Sequence, residues 1–451
     1  MDKKGMLNGS IWKSMTLFAL PIFLGNLFQQ LYNTVDSLIV GNFVSDNALA
    51  AVTSSGSLIF LIIGFFNGVA VGAGVVISRY FGARDYENMS KAIHTTIAFG
   101  LIVSVVFTLI GVYMSPLILE WMDTPESVMP ESIAYLQIYF WGAAGLIMYN
   151  VFVGIMQAVG DSKTPLYYLI ISSIINVLLD LLFIIVFKMG VSGAALATII
   201  SQFASAILCF IKLSLTKGVY RIHFKSIKIN LHILKQIVSY GLPTGVQNSI
   251  IAFANIVVQS KINYFGEAAM AGMGAYSKVE GFAFLPITSF TMAITTFVSQ
   301  NMGANEYDRA RKGIRFGVIT TVVLAEAIGV IIYLTSPWLI KAFNPNEEVV
   351  KYGVLKANVC SLFFFLLAFS HALSAVLRGV GKSMVPMLVM LLCWCVIRVA
   401  FLMIMVPIFE DVWVVNWVYP ITWGLSSICF IVYYAFNHNL EEINNKLQAK
   451  M

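Results

Sequence analysis

Charged residues are scarce in this chain of 451 residues: Asp, Glu, Lys and Arg make up 11% of it, whereas hydrophobic residues make up 59%. The mean hydropathy is +0.84. A soluble globular protein of this length needs a much more polar surface. The composition therefore excludes a soluble domain and predicts a protein embedded in lipid.

Cysteine is also rare, and no Cys has metal-type spacing to a His. The five Cys all fall within apolar runs: Cys209, Cys360, Cys393, Cys395 and Cys429. Cys393 and Cys395 are two positions apart and would point to different faces of a helix. We therefore predict packing roles for these side chains and no metal site built on them.

Alternation of apolar and polar residues is missing as well, since runs such as 59–63 are continuously apolar, which argues against a β-barrel. Apolar stretches of about 20 residues, enough to cross a hydrocarbon core of roughly 30 Å, recur along the chain. The predicted fold is an all-α polytopic membrane protein with twelve transmembrane helices. We place them near residues 15–41, 48–77, 93–114, 133–156, 166–187 and 190–211, and near 237–258, 269–298, 316–335, 353–377, 384–407 and 412–436.

The second half of the chain repeats the first. Residues 77–93, ISRYFGARDYENMSKAI, return as VSQNMGANEYDRARKGI at residues 298–314, which is 221 positions later. Ser115-Pro116 returns as Ser336-Pro337, and residues 159–165 return as 380–386, at the same displacement. A shared displacement indicates an internal duplication. We predict an N-lobe, 1–221, and a C-lobe, 222–451, with a short cytoplasmic tail, as two parallel six-helix repeats around a central cleft.

The basic residues indicate the orientation, because Lys and Arg beside membrane helices favour the cytoplasmic side. With the amino terminus inside, most of the 28 Lys and Arg fall in cytoplasmic segments, whereas Lys356 falls outside. We predict a multi-pass protein of the cytoplasmic membrane with both termini in the cytoplasm. The basic residues are scattered over short loops, so no nucleic-acid partner is expected.

Four oxygen-bearing side chains of the N-lobe fall at similar depth within predicted helices, where a charge costs roughly 2.5 to 3.5 kcal/mol. Asn176 and Asp180 lie one turn apart on one helix face, and Asp36 and Thr198 lie on other helices. Together they predict a cation-coupling site for H+ or Na+, with no other cofactor. The alternative is that Asp180 only accepts local hydrogen bonds and Asp36 is hydrated.

The displacement of 221 maps these four residues to Val257, Ile397, Phe401 and Tyr419, none of which is acidic. We therefore expect ion coupling in the N-lobe only. The C-lobe has its own ionisable residues in predicted helices, and they suggest a structural polar network: Lys278, Glu280, Glu326 and Arg398. In this network we predict that Glu280 pairs with Arg398 or Lys278, which would lower the cost of burying both charges.

Several segments resemble one family of transporters. They are Tyr80-Phe81-Gly82-Ala83-Arg84 with its copy Asn301-Met302-Gly303-Ala304-Asn305, the turn at 157–165, and Lys278-Val279-Glu280 followed by Phe284-Leu285-Pro286. With the duplicated six-helix plan, these segments resemble the multidrug and toxic compound extrusion (MATE) transporters over essentially the whole chain.

This resemblance implies a transporter rather than an enzyme: a monomeric twelve-helix antiporter in contact with membrane lipids. It would export amphipathic, often cationic organic molecules in exchange for inward Na+ or H+. Asp36, Asn176, Asp180 and Thr198 look like the first-lobe cation site of the DinF-like branch. The branch resembling NorM carries an acid on the seventh helix, where this chain has uncharged residues at 247–251.

Two alternatives stay open at the level of the sequence. A flippase for lipid-linked precursors, from the same superfamily, would share the repeat but would be expected to have a more cationic cavity. A membrane enzyme would need an acidic metal cluster, or a nucleophile with its base, near one interface.

Overall fold

The computed structural model describes residues 6–44, 46–122, 124–437 and 439–448, which form helices joined by short turns. Sixteen α-helices are described in this part of the chain. They are α1 Ile11–Phe43, α2 Asp46–Gly82, α3 Tyr86–Trp121, α4 Met129–Trp141, α5 Ala143–Ala158, α6 Lys163–Asp180, α7 Gly190–Leu215, α8 Leu231–Asn263, α9 Glu267–Gly303, α10 Tyr307–Phe343, α11 Glu347–Cys360, α12 Phe364–Gly379, α13 Met384–Met390, α14 Arg398–Phe409, α15 Val412–Phe436 and α16 Leu440–Gln448.

Twelve membrane-spanning segments account for fifteen of these helices, which confirms the predicted fold class. Eleven segments in the described residues are long and apolar enough to span a membrane, and α4 with α5 forms a twelfth that bends by 46°. A 3₁₀ turn, Ser361–Phe363, joins α11 to α12 within one span. A π-helical segment, Leu391–Ile397, joins α13 to α14 in another. The short helix α16 was not predicted.

The backbone repeats at the same displacement as the sequence. Arg84 and Asn305, 221 positions apart, both adopt a left-handed conformation, with φ of 55° and 59°. Gly160 and Gly381 form a second equivalent pair, with φ of 92° and 84°. L residues rarely occupy this region, so the same unusual turn at equivalent places indicates that each half has kept one local plan.

The chain packs as two compact units. Unit 1 contains Leu24–Val238, and unit 2 contains Met6–Phe23 together with Ser239–Met451. These units follow packing, whereas the lobes 1–221 and 222–451 follow the duplication, and that division stays a prediction. The first half of α1 thus belongs to unit 2, where Met15 and Phe18 join the apolar core with Ile294 and Phe297 of α9.

Arg309 on α10 holds the segment before α1 within unit 2. Its guanidinium donates to the carbonyl oxygens of Met6 at 3.1 and 3.3 Å, Asn8 at 3.3 Å and Gly9 at 2.9 Å. The amide of Met6 donates to the side chain of Gln300 at 2.9 Å. One charged side chain therefore satisfies three carbonyl groups of a segment that has no helix of its own.

We expect Arg309→Gln to loosen this segment. Hydrogen bonds to a charged group contribute about 1.5–3 kcal/mol, so amide exchange in a peptide beginning at Met6 should accelerate by roughly ten- to a hundredfold. Hydrogen–deuterium exchange measured by mass spectrometry checks this. Arg311→Gln is the matched control, because Arg311 forms an exposed ion pair with Asp308. Equal exchange in the two variants would contradict the prediction.

Candidate functional site

Asp180 lies at the end of α6, where the helix changes its hydrogen-bonding pattern. A π-helical segment, Leu181–Val186, begins at the next residue. Such segments are often found at functional sites, because the extra residue per turn re-aims nearby side chains. Asp180 is 0% exposed, and Asn176, one turn earlier, is 1% exposed. The helix therefore carries a carboxylate and an amide into the interior of unit 1.

The polar atoms of these two residues lack hydrogen-bond partners. Both carboxylate oxygens of Asp180 and both amide atoms of Asn176 are buried without a partner in the described structure, and so is Oδ1 of Asp36. Native proteins satisfy most buried polar atoms, so unpartnered atoms at one place need an explanation. A bound cation or proton would supply it.

Asp36 of α1 faces Asp180. The two carboxyl groups lie close enough to share a hydrogen bond if one of them is protonated. An ionised carboxylate cannot donate to another, so a hydrogen bond between the groups requires one of them to be protonated. Without a proton, the two like charges need a cation between them. The arrangement can therefore hold either a proton or a small cation that prefers oxygen ligands.

Tyrosines and aliphatic side chains surround the carboxylate pair. Tyr32 and Tyr135 lie within electrostatic range of both aspartates. Tyr139 stacks on Tyr135 with ring centroids 6.3 Å apart. Tyr135 packs in an apolar cluster whose members include Ile39, Ile59, Ile184 and Ala194. This wall keeps the surroundings low in polarity, which strengthens the interaction of the pair with any cation. Sequence reasoning missed these tyrosines; the i, i+4 spacing of Tyr135 and Tyr139 was the available signal.

Thr198 lies on α7, which packs against α6. Its hydroxyl donates to the carbonyl oxygen of Ala194 at 3.0 Å, so the hydroxyl oxygen keeps its capacity as an acceptor. Ala194 belongs to the same apolar cluster as Tyr135. The structure thus brings Asp36 and Asp180 together, with Asn176 one turn from Asp180 and Thr198 on the adjacent helix.

Of the four C-lobe residues predicted to form a network, Glu280 and Arg398 interact electrostatically, but the predicted ion pair of Glu280 with Arg398 or Lys278 does not form among the described residues. The carboxylate of Glu280 on α9 interacts electrostatically with Lys356 and with Arg398. The side chain of Lys278 is exposed, because it projects from another face of α9. Glu326 of α10 instead accepts a hydrogen bond from the backbone N–H of Phe365 at 2.9 Å, at the start of α12. It satisfies an otherwise free helix N-terminal donor.

Lys356 is a buried cation that the sequence analysis did not include among the candidate site residues. The sequence analysis assigned it to the outer side of the membrane; in the structure it lies on α11 and is 2% exposed. Its Nζ atom lies over the ring of Tyr419, 4.9 Å from the centroid, and over that of Tyr276 at 5.3 Å. Sequence reasoning could have found it, because position 356 is the counterpart of Tyr135 at a displacement of 221.

Arg398 is also buried, at 1% exposed. Its guanidinium lies over Tyr419 at 4.8 Å and Trp394 at 5.2 Å. It donates to Oγ1 of Thr422 from Nη2 at 2.8 Å and from Nε at 3.3 Å. Tyr419 therefore lies against both cations, and we call Lys356, Arg398, Glu280 and Tyr419 the cation cluster.

The cation cluster and the wall of the carboxylate pair occupy equivalent positions in the repeat. At a displacement of 221, Glu280, Lys356 and Arg398 correspond to Ile59, Tyr135 and Val177. All three counterparts belong to, or pack against, the apolar cluster beside Asp36 and Asp180. Equivalent places in the two halves therefore differ in charge. The place in unit 1 lies beside two acids, and the place in unit 2 contains two cations and one acid.

Comparison with known proteins gives a consistent result. The MatE family model matches residues 21–182 and again 243–404. The chain is 30% identical to "Probable multidrug resistance protein YoeA" of Bacillus subtilis, over 97% of this chain and 96% of that protein. It is 23% identical to "Multidrug export protein MepA" of Staphylococcus aureus, over 84% of each chain.

Solved structures share the fold. A MOP superfamily transporter from Pyrococcus furiosus superposes with a TM-score of 0.90 at 22% identity, covering 97% of this chain and 98% of that one. A multidrug resistance MATE family transporter in an outward-facing conformation superposes with a TM-score of 0.87 at 22% identity, covering 96% and 97%. The double match of the family model agrees with the duplication seen in the sequence and the backbone. The chain therefore belongs to the MatE family and is a MATE membrane transporter, not an enzyme.

Proposed function

We propose that this protein is a secondary antiporter that exports amphipathic, often cationic organic compounds in exchange for inward H+ or Na+. The observation that carries the proposal is the direct contact between Asp36 and Asp180, with unpartnered oxygen atoms on both. Relatives described as multidrug resistance and multidrug export proteins support the class of exported compound.

The carboxylate pair acts as the energy-coupling element in this proposal. An empty pair carries two like charges at close range, and a cation that enters from outside removes this repulsion. Binding therefore changes the relative free energies of any two conformations that hold the aspartates at different separations. The exported compound is driven out because its release and the binding of the cation are linked through that same equilibrium.

In this proposal, the protein is a monomer in the cytoplasmic membrane. Both of its termini lie in the cytoplasm. An inward coupling ion then moves down the membrane potential, which supplies about 2.3 kcal/mol per charge per 100 mV. The site resembles that of the DinF-like branch, since its carboxylates lie in the first lobe and positions 247–251 carry no acid.

Transport in proteoliposomes tests the proposal and identifies the ion. Purified protein is reconstituted, and movement of a fluorescent amphipathic cation is followed under a sodium gradient at fixed pH, or under a pH gradient without sodium. We expect transport under one or both gradients and none without a gradient. Equal movement with and without any gradient would rule out ion-coupled antiport. A response to the pH gradient alone would assign H+, and a response to sodium alone would assign Na+.

A further inference from the structure

The cation cluster of unit 2 has more positive than negative charge. Lys356 and Arg398 are both buried, and one acid, Glu280, lies within electrostatic range of both. Buried charges are normally paired, because an unpaired charge in a low-dielectric interior is strongly unfavourable. One acid cannot neutralise two cations. Among the residues that the structure describes, the cluster therefore has one acid for two cations.

Glu280 forms no close ion pair with either cation. Among the described residues, no ion pair joins Glu280 to Lys356 or to Arg398. The carboxylate of Glu280 thus lies beyond ion-pairing distance of both Lys356 and Arg398. A further anionic group can approach the cations without first breaking a direct contact between protein charges.

Aromatic faces position the two cations without neutralising them. Tyr419 lies against Lys356 at 4.9 Å and against Arg398 at 4.8 Å, and Trp394 supports the guanidinium from its own helix segment. A ring attracts a cation weakly compared with a carboxylate, and it also offers a flat surface to an aromatic compound. Glu280 and Tyr419 are only partly buried, whereas Lys356 and Arg398 are almost fully buried.

The duplication shows that the scaffold does not need charge at these positions. The counterparts of Lys356, Glu280 and Arg398 in unit 1 are Tyr135, Ile59 and Val177, which pack as apolar residues in the same fold. The charges of unit 2 therefore need a reason other than folding.

We propose that the cation cluster binds the anionic head group, a carboxylate or a phosphate monoester, of amphipathic compounds that the protein carries. Lys356 and Arg398 contact the anion, and the ring of Tyr419, which is only partly buried, contacts the apolar part. This inference rests on the proposed function, because it takes the exported compound as the ligand. It extends the range of compounds from cations to zwitterions and organic anions.

Binding of a matched pair of probes tests the inference. Dansyl-phenylalanine carries a free carboxylate, and its methyl ester has the same rings without the charge. Fluorescence titration of the full-length purified protein gives a Kd for each, and the ratio of the two isolates the contribution of the charge. We expect Lys356→Gln and Arg398→Gln each to weaken binding of the acid relative to the ester by about tenfold or more.

Lys351→Gln is the control, because Lys351 lies on the same helix but is exposed. It should keep the wild-type ratio, and so should Lys356→Arg, which retains the cation. An unchanged ratio in Lys356→Gln, or an equal change in Lys351→Gln, would overturn the inference. If Lys356→Gln binds neither probe, Arg398→Gln decides by the same ratio.

Competition identifies the source of the anion. A short-chain phosphatidic acid that displaces the bound acid, where the matching phosphatidylcholine does not, would assign the cluster to a lipid head group. Failure of both lipids to compete would assign it to soluble amphipathic acids. The titrations use no ion gradient, so loss of gradient-driven transport would refute the antiport mechanism while leaving the binding ratio as an independent result.

Discussion

Asp180→Asn and Asp36→Asn will each abolish gradient-driven accumulation of an amphipathic dye in proteoliposomes. Each change keeps the shape of the side chain but removes one of the two charges that hold the coupling cation. A tenfold gradient of one coupling ion supplies about 1.4 kcal/mol, which these variants can no longer use. The accumulation ratio should therefore fall by about tenfold for each tenfold gradient applied.

A matched Asp→Asn change separates loss of coupling from a general effect of the substitution. Asp308 is exposed and forms a surface ion pair with Arg311 at 3.0 Å, so Asp308→Asn should accumulate dye as the wild type does. Normal accumulation by both Asp36→Asn and Asp180→Asn would remove the carboxylate pair from the mechanism. Loss in only one variant would show that the pair does not act as a unit.

Gly272→Ala will lower the stability of unit 2 through a backbone clash between α9 and α11. A Cβ atom at Gly272 would lie 2.3 Å from the carbonyl oxygen of Val349 and 2.9 Å from the amide nitrogen of Gly353. Backbone atoms cannot rotate away as a flexible side chain can, so the helices must separate. Overpacking of this kind costs about 1–3 kcal/mol. The melting temperature of the purified protein should therefore fall.

Gly274→Ala is the control, because a Cβ atom there meets nothing within 4 Å. Ala also favours a helix over Gly by about 1 kcal/mol, so this variant should melt at the wild-type temperature or above it. The clash at Gly272 should also weaken binding of the dansyl acid, since α9 carries Tyr276 and α11 carries Lys356. Equal melting of the two variants would contradict the close approach of these helices.

The sequence was sufficient to predict the helices and the repeat, because both leave regular signals. Apolar runs long enough to span a membrane located all twelve segments, and a single displacement matched turns that share left-handed residues such as Arg84 and Asn305. The contact between Asp36 and Asp180 followed from depth and helical spacing, which place residues along and around a helix.

Other features depend on packing that spacing does not determine. The exposed Lys278 and the helix-capping role of Glu326 reflect how α9 and α10 are rotated against their neighbours, and depth alone could not distinguish them from Glu280. Lys356 was missed because it lies at the edge of an apolar run. Hydropathy assigns a lysine at such an edge to the outer side of the membrane rather than to the protein interior. Its burial depends on the rings of Tyr276 and Tyr419, which come from other helices.

The equivalence of Tyr135 and Lys356 also bears on how such proteins can diversify. A duplicated gene supplies every interior position twice, so one copy can retain the handling of the coupling ion while its twin accumulates changes. If the cation cluster selects the cargo, a few substitutions around position 356 would alter which molecules leave the cell while the energy supply stays intact. Related transporters could then diverge in cargo preference while they keep the same ion-coupling site.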